Sequence, residues 1–424
     1  MNYVEVLFNT AWAQAASDPQ LAEGTMLVEL QDFMDNVFAP RWENGAYTQQ
    51  EAEEMNDLKS LALYEYFYSV PLDIVDGKYQ ITSADDLKAL ARIVNFGSSA
   101  VNAVLTADIT IGSDQAMIGT IDNPYRGNFD GQGHTITFEN VEWQQPNSDA
   151  SEASGLFAHL AGNVSNLYLN GEITTYGMRT GVLAGRLEDS SIITNVVTNV
   201  TLRPMVNGDT AASLLVSRPS AGSSQIINCM ALGGIYTETG SNAGGLVGWN
   251  PNDVKTTIQN SVMLGVMQVA PTSATTPTDL IGRCLESNAP IVLNNVFYIT
   301  HAENTNVERI WKGAAAVTAE AVTDGELCYR LNGDQSEIVW FQTLTEDAYP
   351  VPDDRHLVVM VDENGRFYND GQAIGQVKLE QYLPSVVNVY DIQGRLVRSG
   401  VDVRNALKDI PQGMYILGGK KVLK

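Results

Sequence analysis

Short apolar runs that end in a small residue and then a bulky polar or aromatic residue recur along the middle of the chain. The runs are LFAH, VLAGR, LLVSR, LVGW and LIGR, with the small residue at Ala158, Gly185, Ser217, Gly248 and Gly282. Their spacing is about 27 to 34 residues, which is typical of stacked structural repeats. Each run is followed by an apolar residue, any residue and then asparagine, at Asn166, Asn195, Asn228, Asn260 and Asn295. Because the apolar run and the asparagine recur in the same order in every copy, the sequence predicts a solenoid.

Within the repeats the apolar and polar positions alternate as they do in short strands. From about residue 101, runs such as VLTADITIG, GHTITFENV and NVSNLYLNGEI are broken by Gly, Asn, Asp and Ser, with no helical pattern between them. Strands that recur once per repeat without crossover helices favour a parallel β-helix, in which each coil pairs with the next at about 4.8 Å. The fold class is therefore predicted to be mainly β, with a parallel β-helix at its centre.

Helical periodicity precedes the repeats. Residues 1–70 are predicted to form an acidic helical bundle, and their first apolar stripe is Val4, Leu7, Phe8, Ala11, Trp12 and Ala15. Ser83, with Asp86 three residues later and Gly97 at the end, predicts a capped helix. Because the end of a solenoid exposes apolar groups and open strand edges, this helix is interpreted as its cap, within a domain at 71–305.

The rhythm of the repeats stops after about residue 305. A helix-like segment and the run IVWFQTLTEDAYPVP predict a solenoid-closing segment at 306–355. Alternating apolar runs follow, with Asn364-Gly365 between two of them, which is a strong hairpin signal. Residues 356–424 are therefore predicted to be a small β-sandwich-like domain.

Charge and cysteine content narrow the functional class. The formal net charge is −25, and a chain this acidic has no basic surface with which to bind nucleic acid. Residues 384–424 have seven Lys or Arg and three Asp or Glu, a net of +4, so the rest of the chain carries −29. Three distant cysteines predict free buried thiols, not a disulfide framework. The chain contains no run of 18 or more apolar residues, so the sequence predicts no membrane-spanning helix. We expect any export signal to have been removed.

Four segments between about residues 80 and 424 resemble known families. GGLVGWN at 244–250 resembles the GLUG-motif repeats of secreted bacterial surface proteins, and YRGNFDGQGHTITF at 125–138 is similar to the first coil of pectin lyase-like right-handed β-helices. The segment at 326–352 is similar to the one that commonly follows such repeats. The last forty residues, through VYDIQGR and PQGMYILGGKK, resemble the C-terminal sorting domains of type IX-secreted proteins of Gram-negative bacteria. This last resemblance implies that the protein is located at the cell surface or outside the cell and that the secretion machinery is a partner. It implies no catalytic activity.

The residue after each repeated small residue is the main candidate for ligand binding. These residues are His159, Arg186, Arg218, Trp249 and Arg283. If the coils stack in register, they form an outward ladder that can hold an anionic or stacked sugar chain through charge-assisted hydrogen bonds and ring packing. The alternative is structural: arginines stack on Trp249 at a coil corner, and acids such as Glu188 neutralise Arg186.

Other chemistry has weaker support in the sequence. The five asparagines are interpreted as a structural ladder of stacked amides, and His134 as a structural hydrogen-bonding residue near Asp130. A lyase or hydrolase would need converging charged groups, for which Asp209, Asp253 and Asp279 are the loop candidates. The four histidines and three cysteines have no metal-site spacing, so neither a metal nor a cofactor is predicted.

The combined prediction is a secreted or surface-attached Gram-negative bacterial protein that binds a glycan or a host or matrix surface without catalysis. Two alternatives stay open: a polysaccharide-degrading lyase or hydrolase built on the β-helix, and a structural scaffold whose partner is another protein. A solvent-facing ladder favours the binding function, whereas a ladder whose arginines are already paired favours the scaffold.

Overall fold

The computed structural model describes residues 72–96, 99–143, 153–206, 210–238, 242–251, 253–269, 281–284, 291–299, 313–362, 364–369, 386–391, 393–402, 405–411, 414–417 and 420–423. The helical bundle predicted at 1–70 lies outside these residues. The chain is mainly β and divides into two compact units, Met1–Ala316 and Val317–Lys424.

The described part of the first unit contains one helix, α1 (Ala84–Phe96), and a long succession of short strands. The strands are β1 (Ile74–Val75), β2 (Lys78–Ile81), β3 (Asn102–Leu105), β4 (Ile109–Ile111), β5 (Asn128–Trp143), β6 (Phe157–Leu160), β7 (Asn163–Thr175), β8 (Arg179–Gly181), β9 (Ala184–Leu187), β10 (Ile192–Pro204), β11 (Ala211–Ser213), β12 (Val216–Pro219), β13 (Ser223–Ile227), β14 (Met230–Thr237), β15 (Asn242–Gly244), β16 (Val247–Asn250), β17 (Lys255–Met263), β18 (Val266–Val269), β19 (Ile281–Cys284), β20 (Ile291–Ile299) and β21 (Ala314–Val317).

These strands form a parallel β-solenoid of about four turns, which confirms the predicted fold class. Sheet A is the long sheet that includes β5, β7, β10, β13, β14 and β17. Sheet B has the strand order β19-β16-β12-β9-β6, and sheet C has the order β15-β11-β8. The chain passes through sheets B, A and C in each coil and then steps up, so equivalent residues of successive coils become neighbours.

Columns of inward-facing apolar side chains fill the solenoid. One column contains Phe129, Val164, Ile193, Ile226 and Ile258, which are at most 1% exposed. Burial of an apolar side chain of this size contributes roughly 1.5 to 3 kcal/mol. Because every coil adds a layer to the same column, the stack is stabilised mainly by contacts between adjacent coils.

Helix α1 covers the first coil, as the sequence predicts. Ser83 caps its N-terminus by accepting a hydrogen bond from the Asp86 amide at 3.2 Å, and Asp86 accepts one from the Thr82 amide at 2.9 Å. Its apolar side chains, including Leu87, Leu90 and Val94, belong to the core of the solenoid. The helix therefore shields apolar surface that an uncapped coil would expose to water.

The repeated asparagines mark the point where each strand of sheet A bends. All five have positive φ angles, between 47° and 54°, a left-handed conformation that asparagine tolerates better than most residues. Their amides hydrogen-bond along the column in two stretches: Asn195 Nδ2 to Asn166 Oδ1, and Asn295 Nδ2 to Asn260 Oδ1, both 2.9 Å. Within the described residues no such bond reaches Asn228, which lies where the strand divides into β13 and β14.

The second unit begins with two short helices, α2 (Ala319–Thr323) and α3 (Glu326–Asn332). Its strands are β22 (Val359–Val361), β23 (Phe367–Asn369), β24 (Val386–Asp391), β25 (Leu396–Asp402), β26 (Met414–Leu417) and β27 (Lys420–Leu423). Strands β22 and β23 form an antiparallel hairpin across Asn364-Gly365, which confirms that prediction. Strands β25, β24, β26 and β27 form an antiparallel sheet, and a loop containing Leu407 and Ile410 packs against it.

The two cysteines whose side chains are described agree with the prediction of free thiols. Cys229 lies in the inward column of sheet A, and Cys328 lies in α3; both are buried and unbonded to another cysteine. Burial raises the pKa of the Cys229 thiol to about 12, so it stays protonated at neutral pH and acts as an apolar filler.

Candidate functional site

The five candidate ligand-binding residues lie in one column of sheet B. His159 pairs with Arg186, Arg186 with Arg218, and Trp249 with Arg283 in the parallel register. Val216 pairs with Val247, so the same register sets Arg218 beside Trp249. The column predicted from the repeats therefore exists, although the side chain of Arg283 lies outside the described residues.

The small residues of each repeat are required because neighbouring coils approach closely at this corner. A Cβ atom on Gly185 would lie 2.6 Å from the Cβ of Ala153, and one on Gly155 would lie 2.7 Å from the carbonyl oxygen of Gly181. In the third repeat two serines occupy these positions. The Oγ of Ser217 donates to a backbone oxygen at 2.9 Å and that of Ser213 to another at 3.1 Å. The serines therefore preserve the register instead of disturbing it.

At the lower end of the column, His159, Glu188 and Arg186 form a hydrogen-bonded cluster in which the imidazole does not face solvent. His159 is 1% exposed, and its Nδ1 lies 2.7 Å from Oε1 of Glu188. Arg186 Nε lies 3.2 Å from the same oxygen and donates to Ser220 Oγ at 2.8 Å. The prediction of an outward-facing residue is therefore wrong for His159, because Glu188 follows the next strand up and folds over the imidazole.

The surroundings of Glu188 keep it ionised. Burial alone would raise the pKa of this carboxyl group, but the hydrogen bond from His159 and the positive charges of Arg186 and Arg218 outweigh burial and lower the pKa below its usual value. A general acid needs the opposite, a raised pKa that keeps the proton at neutral pH. Glu188 is therefore suited to hold the neighbouring cationic side chains in place.

The upper part of the column is a stack of guanidinium groups on an indole ring. The Cζ of Arg218 lies 4.2 Å from the centroid of the Trp249 ring. The Cζ of Arg179, which belongs to β8 in sheet C, lies 4.9 Å from the same centroid. Both distances are within the range of cation–π attraction. This attraction is stronger when the cation is desolvated, as is the case for Arg179, which is only 2% exposed.

Arg179 was not among the residues predicted from the repeats, because it precedes the repeated motif and lies in a different sheet. Its strand pairs with β11, which in turn pairs with β15, and the residues at the equivalent position are Ala211 and Asn242. Only one of the three coils has a charged residue there, so repetition does not reveal it.

The other candidate residues do not join this site. His134 Nδ1 lies 3.1 Å from Oδ1 of Asp108, one coil earlier, and the same oxygen accepts the Thr135 amide at 2.8 Å. The partner expected from the sequence, Asp130, instead accepts hydrogen bonds from the Gln132 amide and from Asn166 Nδ2. Coil stacking thus brings His134 next to a residue that is distant in sequence. Asp209 and Asp279 lie outside the described residues, and Asp253 is exposed.

The described part of the chain contains neither a metal-binding cluster nor a membrane-spanning helix. No group of three or more His, Cys, Asp or Glu side chains within it is arranged to hold a metal ion. No helix within it combines the length and apolar character that crossing a membrane requires.

Comparisons with known proteins identify a similar solved structure. No family model matches the chain, and no curated protein matches it. A crystal structure from Bacteroides ovatus, provisionally assigned as an immunoglobulin A1 protease, is 20% identical with a TM-score of 0.47. The match covers 66% of this chain and 93% of that one. The protease assignment belongs to that protein.

Replacing Glu188 with glutamine should destabilise the solenoid at neutral pH and much less in acid. The folded-state pKa of Glu188 is lowered, so its stabilising effect is present above its unfolded pKa, roughly 4.3, and is lost as the pH falls through the folded value. The measurement is Tm for both proteins between pH 3 and pH 7. Glu139→Gln, at an exposed position, is the control and should leave Tm unchanged. An equal loss of Tm by Glu188→Gln at both ends of the pH range would contradict the ionic role.

Proposed function

We propose that this protein is a non-catalytic binding protein whose ligand contacts the column of Arg186, Arg218 and Trp249. The observation that carries the proposal is the parallel register that sets these three side chains on successive coils, one strand spacing apart. Guanidinium groups give charge-assisted hydrogen bonds to carboxylates or sulfates, and an indole ring packs against the apolar face of a sugar. An acidic glycan chain carries both anionic groups and apolar sugar faces, and its repeat is comparable to the spacing between adjacent strands.

The rigidity of the column supports this function. Glu188 and Ser220 hold Arg186 in place, and the ring of Trp249 holds Arg218. Side chains that are already ordered lose less conformational entropy when a ligand binds, which raises affinity. All three are partly exposed and so are accessible from solvent.

A scaffold with a protein partner is the second candidate, and a specific observation favours it. Glu188 already pairs with His159 and Arg186, which is the arrangement expected if the charges serve the fold. A polysaccharide-degrading enzyme has less support, because the lowered pKa of Glu188 makes this carboxyl group a poor general acid.

The test is a glycan array probed with the full chain and with Trp249→Ala and Arg218→Ala. Each substitution removes a partly buried contact, so we expect binding to weaken by about tenfold or more. Arg203→Ala is a matched control: Arg203 also pairs with an acid, Glu172, and stacks on a ring, Tyr236, but it lies in sheet A. It should bind as the unmodified chain does, and circular dichroism should show that all variants are folded.

Other results would redirect the proposal. Binding that is absent, or equal in all variants, would exclude the column as the ligand site and favour the scaffold. New sugar ends released from a bound glycan would favour the enzyme.

We further propose that the protein acts outside the cell, as a GLUG-repeat protein of a Gram-negative bacterium exported by type IX secretion. The support is the sequence resemblance of the last forty residues, which in the structure include the antiparallel sheet of β24–β27. When both are expressed behind the same added export signal in a host with this secretion system, the full chain should be accessible to protease on intact cells or in the medium, and a chain that ends at residue 383 should stay inside. Surface exposure of both chains would contradict the role of the tail.

A further inference from the structure

A second column on the solenoid is apolar but points away from its interior. The residue two positions after each repeated asparagine is Tyr168, Val197, Met230, Val262 and Phe297, and parallel pairing aligns these five. We refer to them as the outer apolar column. The residues on either side of each, such as Leu167 and Leu169, belong to the core of the solenoid. Because side chains alternate between the faces of a strand, the column lies on the outer face of sheet A.

The outer apolar column is covered. Val197, Met230, Val262 and Phe297 are between 0% and 4% exposed, yet they are not part of the internal core. The outer faces of the same strands carry exposed polar residues further along, such as Asn170 and Asn199. Four buried apolar side chains on successive coils therefore need a covering element outside the solenoid.

The dimensions of the column fit an amphipathic helix. The five aligned residues are separated by four steps of about 4.8 Å and so extend over roughly 19 Å, the length of a helix of about 13 residues. Residues 1–71 contain apolar stripes of this length, the first of which extends from Val4 to Ala15. The segment at 270–280, APTSATTPTDL, has no such stripe.

We propose that an amphipathic helix within residues 1–71 docks on the outer apolar column. The acidic N-terminal segment then serves as a cover for an apolar face that would otherwise promote association between copies. Docking also fixes the N-terminal segment to the solenoid at a position away from sheet B, so the segment and the column of Arg186, Arg218 and Trp249 stay separate.

The first test is a photo-crosslink from the column in the full chain. Phe297 is replaced by p-benzoylphenylalanine, which keeps the aromatic ring and adds a photoreactive benzoyl group at its para position, and the crosslinked peptides are identified by mass spectrometry. We expect a crosslink to a peptide within residues 1–71. The matched control carries the same group in place of Tyr176, which is 39% exposed, and should give no crosslink to that segment. The proposal would be overturned by a crosslink from position 297 to residues 270–290 or 300–312, or to a second copy of the chain. It would also be overturned if position 297 gave no crosslink.

A second test uses hydrogen exchange and does not depend on the crosslinker. Met230→Asp introduces a charge into the covered column, and we expect amide exchange within residues 1–71 to rise at least tenfold while β7 and β9 stay protected. Val292→Asp makes the same kind of change at a side chain that is 46% exposed and should leave exchange in residues 1–71 unaltered. Unchanged exchange in residues 1–71 of the Met230 variant, with the solenoid folded, would contradict docking at this column.

Discussion

A chain in which Gly171 is replaced by alanine should lose roughly 2 to 6 kcal/mol of stability in the solenoid, or about 10 °C in Tm. Gly171 lies opposite Phe138 in the parallel pairing of β5 and β7 and has a φ angle of 112°. A Cβ at this position would overlap the carbonyl oxygen of Phe138 and lie 2.9 Å from its amide nitrogen. Both atoms belong to backbone, so neither can rotate away as a side chain would.

Gly133 supplies a control that separates steric overlap from backbone strain. It also has a positive φ angle, 78°, and lies in β5, but no atom lies within 4 Å of a Cβ built on it. Gly133→Ala should therefore cost only the strain of a left-handed alanine, roughly 1 to 2 kcal/mol. The comparison is made by thermal and urea unfolding followed by circular dichroism. Equal losses in the two variants would show that coil spacing relaxes around Gly171 and that the close approach has no energetic consequence.

The coil register could be predicted from the sequence because repetition supplies it. The pairing of His159 with Arg186, and of Trp249 with Arg283, follows from aligning the apolar runs with one another. Departures from the motif, such as Ser217, did not disturb the alignment, because a serine that hydrogen-bonds to backbone fits the same corner. Repeated sequence therefore predicts which residues are neighbours along a column.

Contacts that the alignment of the repeats does not include could not be predicted in the same way. Arg179 reaches the ring of Trp249 from another sheet, and His134 pairs with Asp108 from the preceding coil. The first contact depends on the cross-section of the solenoid, which the repeat length does not specify, and the second depends on the pairing of β4 with β5, which precede the first copy of the repeated motif. The exposure of each ladder residue also depends on the side chains that come just after the strands, since Glu188, directly after β9, covers His159.

The outer apolar column is a pattern that the sequence contained and that strand alternation makes informative. Each asparagine is followed by two apolar or small residues, as in Val196-Val197 and Val296-Phe297. Only one of two adjacent residues in a strand can face the interior, so the second needs a partner outside. A double apolar position in a solenoid repeat thus predicts a covering element, and its burial in the structure agrees with that.

Asn195→Ala should destabilise the solenoid by roughly 2 to 5 kcal/mol, the second largest loss that we expect. Two effects add. An alanine at the φ angle of 54° found here costs roughly 1 to 2 kcal/mol, because its Cβ crowds the following carbonyl oxygen. Loss of the 2.9 Å bond from Asn195 Nδ2 leaves Asn166 Oδ1 without that donor, which costs roughly 1 to 3 kcal/mol.

Asn195→Gly separates these two effects, because glycine adopts positive φ without strain but cannot donate to Asn166. We therefore expect the glycine variant to lose roughly 1 to 3 kcal/mol and to be more stable than the alanine variant. Urea midpoints for the three chains, with sheet content followed by circular dichroism, give the comparison. Equal stability of the glycine variant and the unmodified chain would mean that asparagine is selected at this bend for its backbone alone. In that case the hydrogen bonds between asparagine side chains of adjacent coils would be a result of coil stacking, and the apolar columns on either side would provide the stabilisation.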